Sequence, residues 1–230
     1  MKSHMKRLAS PKTWPIMRKK YNLITRPMPG GQAKELCMPL NIILRDILKH
    51  AATAREAKTI LRNNTVLVNG KKTANERCPV GFMDTLSIKE TDENYRILID
   101  HKGKLALKPI SASESGLKIC KINRKVTIKK GKTQLCLNDG RTITTDKGKT
   151  YSTGDGLLIK LPSQEIAGHI KLEKKALVYL LGGKHTGHTG TVEDVKEDML
   201  TIKIGDTTIE TPKRFAFPLG KEKTPITTSV

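Results

Sequence analysis

Gly182-Gly183-Lys184-His185 sets a lysine directly behind two glycines, the residue types from which phosphate-binding loops are made. A nucleotide-hydrolase loop needs four residues between its first glycine and Gly-Lys, a Ser or Thr after the lysine, and a helix beyond. Here His185 follows the lysine and the downstream segment reads as strand, so nucleotide hydrolysis is excluded. His185 and His188 lie close together but have no Cys or carboxylate at ligand spacing, so no metal is expected there. Cys37, Cys78, Cys120 and Cys136 form no C-x-x-C pair and are too few for a disulfide framework in a chain this long. They read as small buried thiols in a reducing compartment. Asp84, in Gly81-Phe82-Met83-Asp84, has no companion base, and a structural hydrogen-bonding role is expected for it. There is no G-x-S-x-G elbow, no H-E-x-x-H and no pair of carboxylates in an evident apolar pocket. No catalytic residue, cofactor or small-molecule substrate is therefore expected.

What the sequence has in quantity is positive charge. Its 230 residues carry 43 Lys and Arg against 22 Asp and Glu, a net charge of +21. A surplus of that size calls for a polyanion, and nucleic acid comes first because neutralising phosphates releases condensed counterions. A membrane surface is the weaker reading, since no basic amphipathic helix with bulky apolar anchors is evident. No run of about 18 apolar residues spans a bilayer. The opening Met1-Lys2-Ser3-His4-Met5-Lys6-Arg7 lacks the apolar stretch of a secretory signal. Aromatics are 3%, too few for an extended base-stacking platform, and an apolar content of 37% argues for several small domains over one large core.

The elements that must carry these cations can be placed along the chain. Residues 1–36 hold nine Lys and Arg, among them Lys6, Arg7, Lys12, Arg18, Lys19 and Lys20, against Glu35 alone. Pro11, Pro15, Pro27 and Pro29 break helices there, so this is read as a basic arm, unfolded until it meets a polyanion. Residues 37–90 read as two helices and a small sheet. Pro39 starts the first helix, with Leu40, Ile43, Leu44, Ile47 and Leu48 as one apolar stripe. Thr53 and Glu56 form a capping box for the second, with Ala57, Ile60 and Leu61 inward. Val66-Leu67-Val68 and Asn69-Gly70 announce a hairpin leading to Lys71-Lys72. The spacing predicts two cationic rows, Arg45 with Lys49 and Arg55 with Lys58 and Arg62, beside that hairpin. Residues 91–170 read as short strands, with seven Lys and Arg and no acid from Lys118 to Lys132, Lys121, Arg124 and Lys125 among them. Residues 171–212 form a last β unit, whose loop from Gly182 to Gly190 carries Lys184 and His185 and whose later turn carries Glu193, Asp194, Glu197 and Asp198. That split predicts a two-faced unit, the loop toward a polyanion and the acids away from it. Residues 213–230 read as a tail.

Several motifs, in order, resemble a known family. Lys6-Arg7-Leu8-Ala9-Ser10-Pro11-Lys12-Thr13-Trp14 is similar to the opening of the archaeal and eukaryotic type of small-subunit ribosomal protein four, with Ser10 where Ala is usual. Cys37-Met38-Pro39-Leu40, Gly81-Phe82-Met83-Asp84 with Ser87-Ile88, and Tyr95-Arg96 with Asp100 and Lys102-Gly103 continue the match. Gly182-Gly183, Gly187 and Gly190-Thr191-Val192 resemble a KOW element. The resemblance implies an α+β multidomain protein: a basic N-terminal arm, an αL-type RNA-binding module, a central β domain and a C-terminal KOW SH3-like barrel. It implies a non-catalytic constituent of the small ribosomal subunit, cytoplasmic, present as a monomer among neighbouring ribosomal proteins and bound to ribosomal RNA. The early stop after the KOW unit favours the compact archaeal type. Two other classes share single modules. An RNA-modifying enzyme would need a catalytic domain with a nucleophilic Asp, and a KOW elongation factor would need neither the arm nor the αL module.

Overall fold

Where the prolines and charges of the first 36 residues forecast an unfolded arm, the computed structural model shows a folded one. It describes residues 3–128, 131–146, 148–205, 207–221 and 224–228. Lys2, Lys129 and Lys130, which belong to the basic runs counted above, lie outside them. The chain divides into two compact units, one running to Leu98 and including Lys104–Gly116, the other made of Ile99–Gly103 and everything from Leu117. Lys and Arg outnumber Asp and Glu by 21 to 9 in the first and 22 to 13 in the second, so each unit is basic by itself.

In the first unit, strands β1 (His4–Lys6) and β2 (Leu23–Thr25) pair antiparallel. Trp14 between them is 2% exposed, and its indole Nε1 donates to the carbonyl of Cys37 at 2.8 Å. The free-arm expectation is corrected here: its composition cannot build a core alone, but Trp14 and Ile24 enter the core of the residues that follow. Strand β3 (Cys37–Pro39) leads through Pro39, extended at ψ 143°, into α1, one turn at Leu40–Ile42 that widens into a π-turn at Ile43–Ile47. Leu40, Ile43 and Leu44 are buried as the stripe requires, whereas Ile47 and Leu48 are half-buried. Lys49, at φ 60°, is already left-handed and ends the turn.

Helix α2 (Ala54–Asn63) begins where the capping box placed it. The Glu56 N–H donates to Thr53 Oγ1 at 3.2 Å, and the Glu56 carboxylate accepts from Thr53 Oγ1 and from the Ala52 N–H. Ala57 and Leu61 are buried, so the helix lays one face on the core. Strands β4 (Val66–Val68) and β5 (Lys71–Lys72) form the hairpin, with Asn69 and Gly70 both at positive φ. Strand β6 (Pro79–Gly81) pairs with β3, and β7 (Thr85–Ile88) with β4 and β8 (Glu93–Ile99). With β9 (Leu105–Pro109) the sheet order is β5-β4-β7-β8-β9. The reading that began a central domain at residue 91 is corrected by this pairing, because β8 and β9 complete the first unit's sheet. The Gly81–Asp84 turn locks this region: Asp84 accepts from the Gly81 N–H at 2.7 Å and from Asn69 Nδ2 at 2.8 Å. A Cβ on Gly81 would approach the Leu36 carbonyl to 2.7 Å, which only glycine avoids. A short helix, α3 (Ala112–Ser115), supplies Glu114 to the buried Arg96.

The second unit holds two five-stranded antiparallel sheets. Strand β10 (Leu117–Thr127) is one long strand of eleven residues where short ones were expected. A bulge between Ile122 and Arg124 lets its first half pair with β13 (Gly156–Lys160) and its second with β11 (Thr133–Leu137). Strands β12 (Thr142–Thr145) and β14 (Ile166–Ile170) complete the order β12-β11-β10-β13-β14 around a core of Cys120, Ile122, Leu135, Leu137, Leu157 and Ile159. The other sheet runs β18-β17-β16-β15-β19, from β15 (Leu177–Leu180), β16 (Thr189–Val195), β17 (Met199–Ile204), β18 (Thr207–Pro212) and β19 (Ala216–Gly220). The tail reading is corrected by β19, which pairs with β15 and buries Ala216, Phe217 and Leu219. No helix among the described residues is long and apolar enough to cross a membrane.

Candidate nucleic-acid interface

Helix α2 presents its cations as the 3.6-residue period requires. Arg55, Lys58 and Arg62 are all exposed, opposite the face that buries Ala57 and Leu61. None has a carboxylate partner among the described residues, so their charge is free for a ligand. Lys71 and Lys72 are exposed on the hairpin edge, where Lys72 helps hold the Glu90 carboxyl below its usual range, after the dominant hydrogen bond from the Thr65 N–H. The other expected row does not form. The π-turn and the left-handed Lys49 break the i, i+4 relation, and Arg45 turns onto Asp46 at 2.6 Å.

The arm's cations divide in two. Lys6, Lys12, Lys19 and Lys20 are exposed. Arg7 and Arg18 turn inward: Arg7 is 1% exposed and its Nε donates to the Met17 carbonyl, while Arg18 Nη2 donates to the Ser10 carbonyl at 2.6 Å. The folding of the arm brings Arg7 and Lys20 together with Arg45 and Lys49 around one cleft of about 670 Å³. No local pattern joins these four positions, and the sequence reading missed the grouping.

In the second unit Lys121 is corrected as a binding residue. It is 7% exposed, and its Nζ donates to the carbonyls of Ala216 at 2.7 Å, Lys213 at 2.8 Å and Arg214 at 3.3 Å. Burial pushes its ammonium down to about 8. Its task is to tie β10 to the entry of β19. The signal was present in the unbroken run Ile119-Cys120-Lys121-Ile122, which reads as a strand buried on both faces. Beyond the bulge Arg124 and Lys125 are exposed, and Lys125 Nζ reaches the Tyr151 carbonyl at 3.1 Å. The nearby cation Lys118 is also internal, paired to Asp139 at 2.6 Å.

The loop between β15 and β16 carries an exposed Lys184 and a half-buried His185, whose ring lies 6.1 Å from that of His188. Gly187 sits at φ +84°, and a Cβ there would strike the backbone of Asp100 and His101. Two acids of this sheet are paired, Asp194 with Lys174 at 3.0 Å and Glu210 with Lys196 at 2.8 Å. Burial raises Cys37 to about 11 and Cys120 to about 12, so neither thiol is a nucleophile at neutral pH.

Exposed cations on strands, a helix and a glycine-rich loop are groups that attract phosphates. Comparison with known proteins gives the family. Residues 1–31 match the RS4NT (NUC023) domain, and residues 91–166 match the model described as Ribosomal family S4e. The small ribosomal subunit protein eS4 of Methanocaldococcus jannaschii is 41% identical over 96% of this chain and 96% of its own length. That of Methanothermobacter thermautotrophicus is 41% identical over 98% of this chain and 95% of its own. The crystal structure of the 30S ribosomal protein S4e from Thermoplasma acidophilum superposes with a TM-score of 0.72 at 30% identity, covering 82% of this chain and 97% of that one. The chain belongs to the S4e family of small-subunit ribosomal proteins, structural components of the cytoplasmic ribosome and not enzymes.

Proposed function

We propose that this protein binds small-subunit ribosomal RNA through its phosphates and stabilises the folded RNA without catalysing a reaction. The observation that carries the reading is the row Arg55, Lys58 and Arg62, three exposed guanidinium and ammonium groups on one helix face with no carboxylate partner among the described residues. A solvated helix face ordinarily mixes signs; this row holds cations alone, and Glu56, the acid of the helix, is engaged at the cap by Ala52 and Thr53. Residues 37–90, with their sheet completed by β8 and β9, act as an αL-type RNA-binding module, and residues 171–212, extended by β19, act as a KOW SH3-like barrel whose loop at Lys184 and His185 approaches RNA. Lys6, Lys12, Lys19, Lys20, Lys71, Lys72, Arg124 and Lys125 add phosphate contacts. The partners are ribosomal RNA and neighbouring ribosomal proteins, and the protein works as a monomer within the particle. The test is co-sedimentation of the purified protein with salt-washed small subunits and with protein-free small-subunit RNA. Retention by both, with no capture by RNA polymerase, is expected. Retention by polymerase and not by the subunit would replace this reading with the elongation-factor one.

A further inference from the structure

We infer that the cleft between the N-terminal strand pair and the α1 turn takes one unpaired nucleotide of the bound RNA, base inward; this rests on the RNA-binding reading above. The cleft is lined by the cations Arg7, Lys20, Arg45 and Lys49 together with Ile16, Met17 and Tyr21. At about 670 Å³ it lies in the range of sites that enclose a small organic ligand, far more than a lone phosphate fills. Its charge is not compensated from within. Asp46 is the one carboxylate in the wall, and it serves two guanidiniums, Arg45 at 2.6 Å and Arg7 at 3.7 Å. Arg7 is 1% exposed, yet its buried Nη1 has no hydrogen-bond partner among the described residues. A buried guanidinium with an unmade bond is costly unless an anion comes to it. Lys20 and Lys49 have no carboxylate partner among the described residues.

The apolar lining is as unusual as the charge. Met17 is 74% exposed and Tyr21 54%, two of the few large apolar side chains this protein leaves in water. An apolar, aromatic surface beside three surplus positive charges matches a base joined to its phosphate. A paired base in a helix could not enter, because its faces are stacked and its edges occupied, so the occupant is an unstacked nucleotide from a loop, bulge or single strand. One tyrosine serves one base, which is consistent with an aromatic content too low for a stacking platform. The Arg7 guanidinium and the Lys20 ammonium lie over the Tyr21 ring, 5.6 and 5.4 Å from its centroid, so cationic and aromatic groups meet at one point of the cleft.

The test compares two labelled RNA hexamers at one moderate salt concentration by fluorescence anisotropy: oligouridine, and an abasic ribose-phosphate chain with the same number of phosphates. A 12-base-pair RNA duplex reports the RNA-binding reading itself. The intact protein should bind oligouridine about ten-fold more tightly than the abasic chain. Tyr21→Ala should erase that preference and leave duplex affinity unchanged. Lys49→Asn, which suits the left-handed backbone there, should weaken both hexamers equally. Unchanged Trp14 emission certifies the fold of each variant. Equal affinity of the intact protein for both hexamers, or a preference that survives Tyr21→Ala, would overturn the nucleotide site while duplex binding left the RNA-binding reading standing. Loss of duplex binding as well would overturn both.

Discussion

Replacing Trp14 by Phe should destabilise the first unit by about 2–4 kcal/mol. The indole donates its N–H to the Cys37 carbonyl at 2.8 Å in a site 2% exposed to solvent. Phenylalanine cannot make that bond, and a buried carbonyl left without its donor costs roughly 1–3 kcal/mol. Loss of the second ring's packing adds about 1 kcal/mol. With a urea slope of about 1–3 kcal/mol per molar, the midpoint followed by far-ultraviolet circular dichroism should fall by roughly 1–2 M. In the intact protein the same residue, the sole tryptophan, should emit to the blue of free indole and resist acrylamide. Its emission should change in the same transition as the circular dichroism of the unit. An exposed emission maximum, or a Trp14→Phe midpoint within 0.2 M (about 0.4 kcal/mol) of the original, would refute the claim that residues 3–36 belong to this core.

Lys121 gives a pH signature. Its folded ammonium titrates near 8 against 10.5 unfolded, so between those values the unfolded chain holds the extra proton. Stability contributed by this residue is fully present above 10.5 and is lost as pH falls through 8. The urea midpoint of the intact protein should therefore rise from pH 8 to 10 relative to Lys121→Met, and parallel curves would count against the buried ammonium. Cys37 and Cys120, held near 11 and 12 by burial, should escape a thiol reagent at pH 8 until urea unfolds the chain; prompt labelling of either would contradict the packing. An iron chelate tethered at His185→Cys should cleave bound ribosomal RNA more strongly than one at Glu197→Cys, in a background with Cys78 and Cys136 changed to Ser. Equal cleavage would reject a KOW loop that faces RNA while the acidic turn faces away.

What could be read from the sequence was local. The Thr53–Glu56 box and the spacing of Ala57 and Leu61 fix α2 by chemistry contained within one turn, and Asn69-Gly70 supplies the backbone its hairpin needs. The cationic row on α2 follows from the same period. What could not be read was long-range. The arm's prolines and charges describe a peptide that would not fold alone, and say nothing of Trp14 finding Cys37 twenty-three residues on. The stripe from Leu40 to Leu48 reports burial but not the π-turn that carries Lys49 out of register with Arg45. Phe215-Ala216-Phe217-Pro218-Leu219 was a legible apolar run inside an apparent tail, and its partner β15 lies some forty residues earlier. Lys121 looked like one more cation in a basic segment because type was read without the two-sided burial of its neighbours.

The central claim is that free cations on the surface hold RNA phosphates, and its most direct measurement is the dependence of affinity on salt. For a single-stranded fragment of small-subunit RNA, log K should fall linearly with log salt by roughly 0.7 for each phosphate neutralised. Changing Arg55, Lys58 and Arg62 together to Gln should flatten that slope by about 2 while circular dichroism stays the same. A slope near zero for the intact protein, or a slope unmoved by the triple change, would contradict the account.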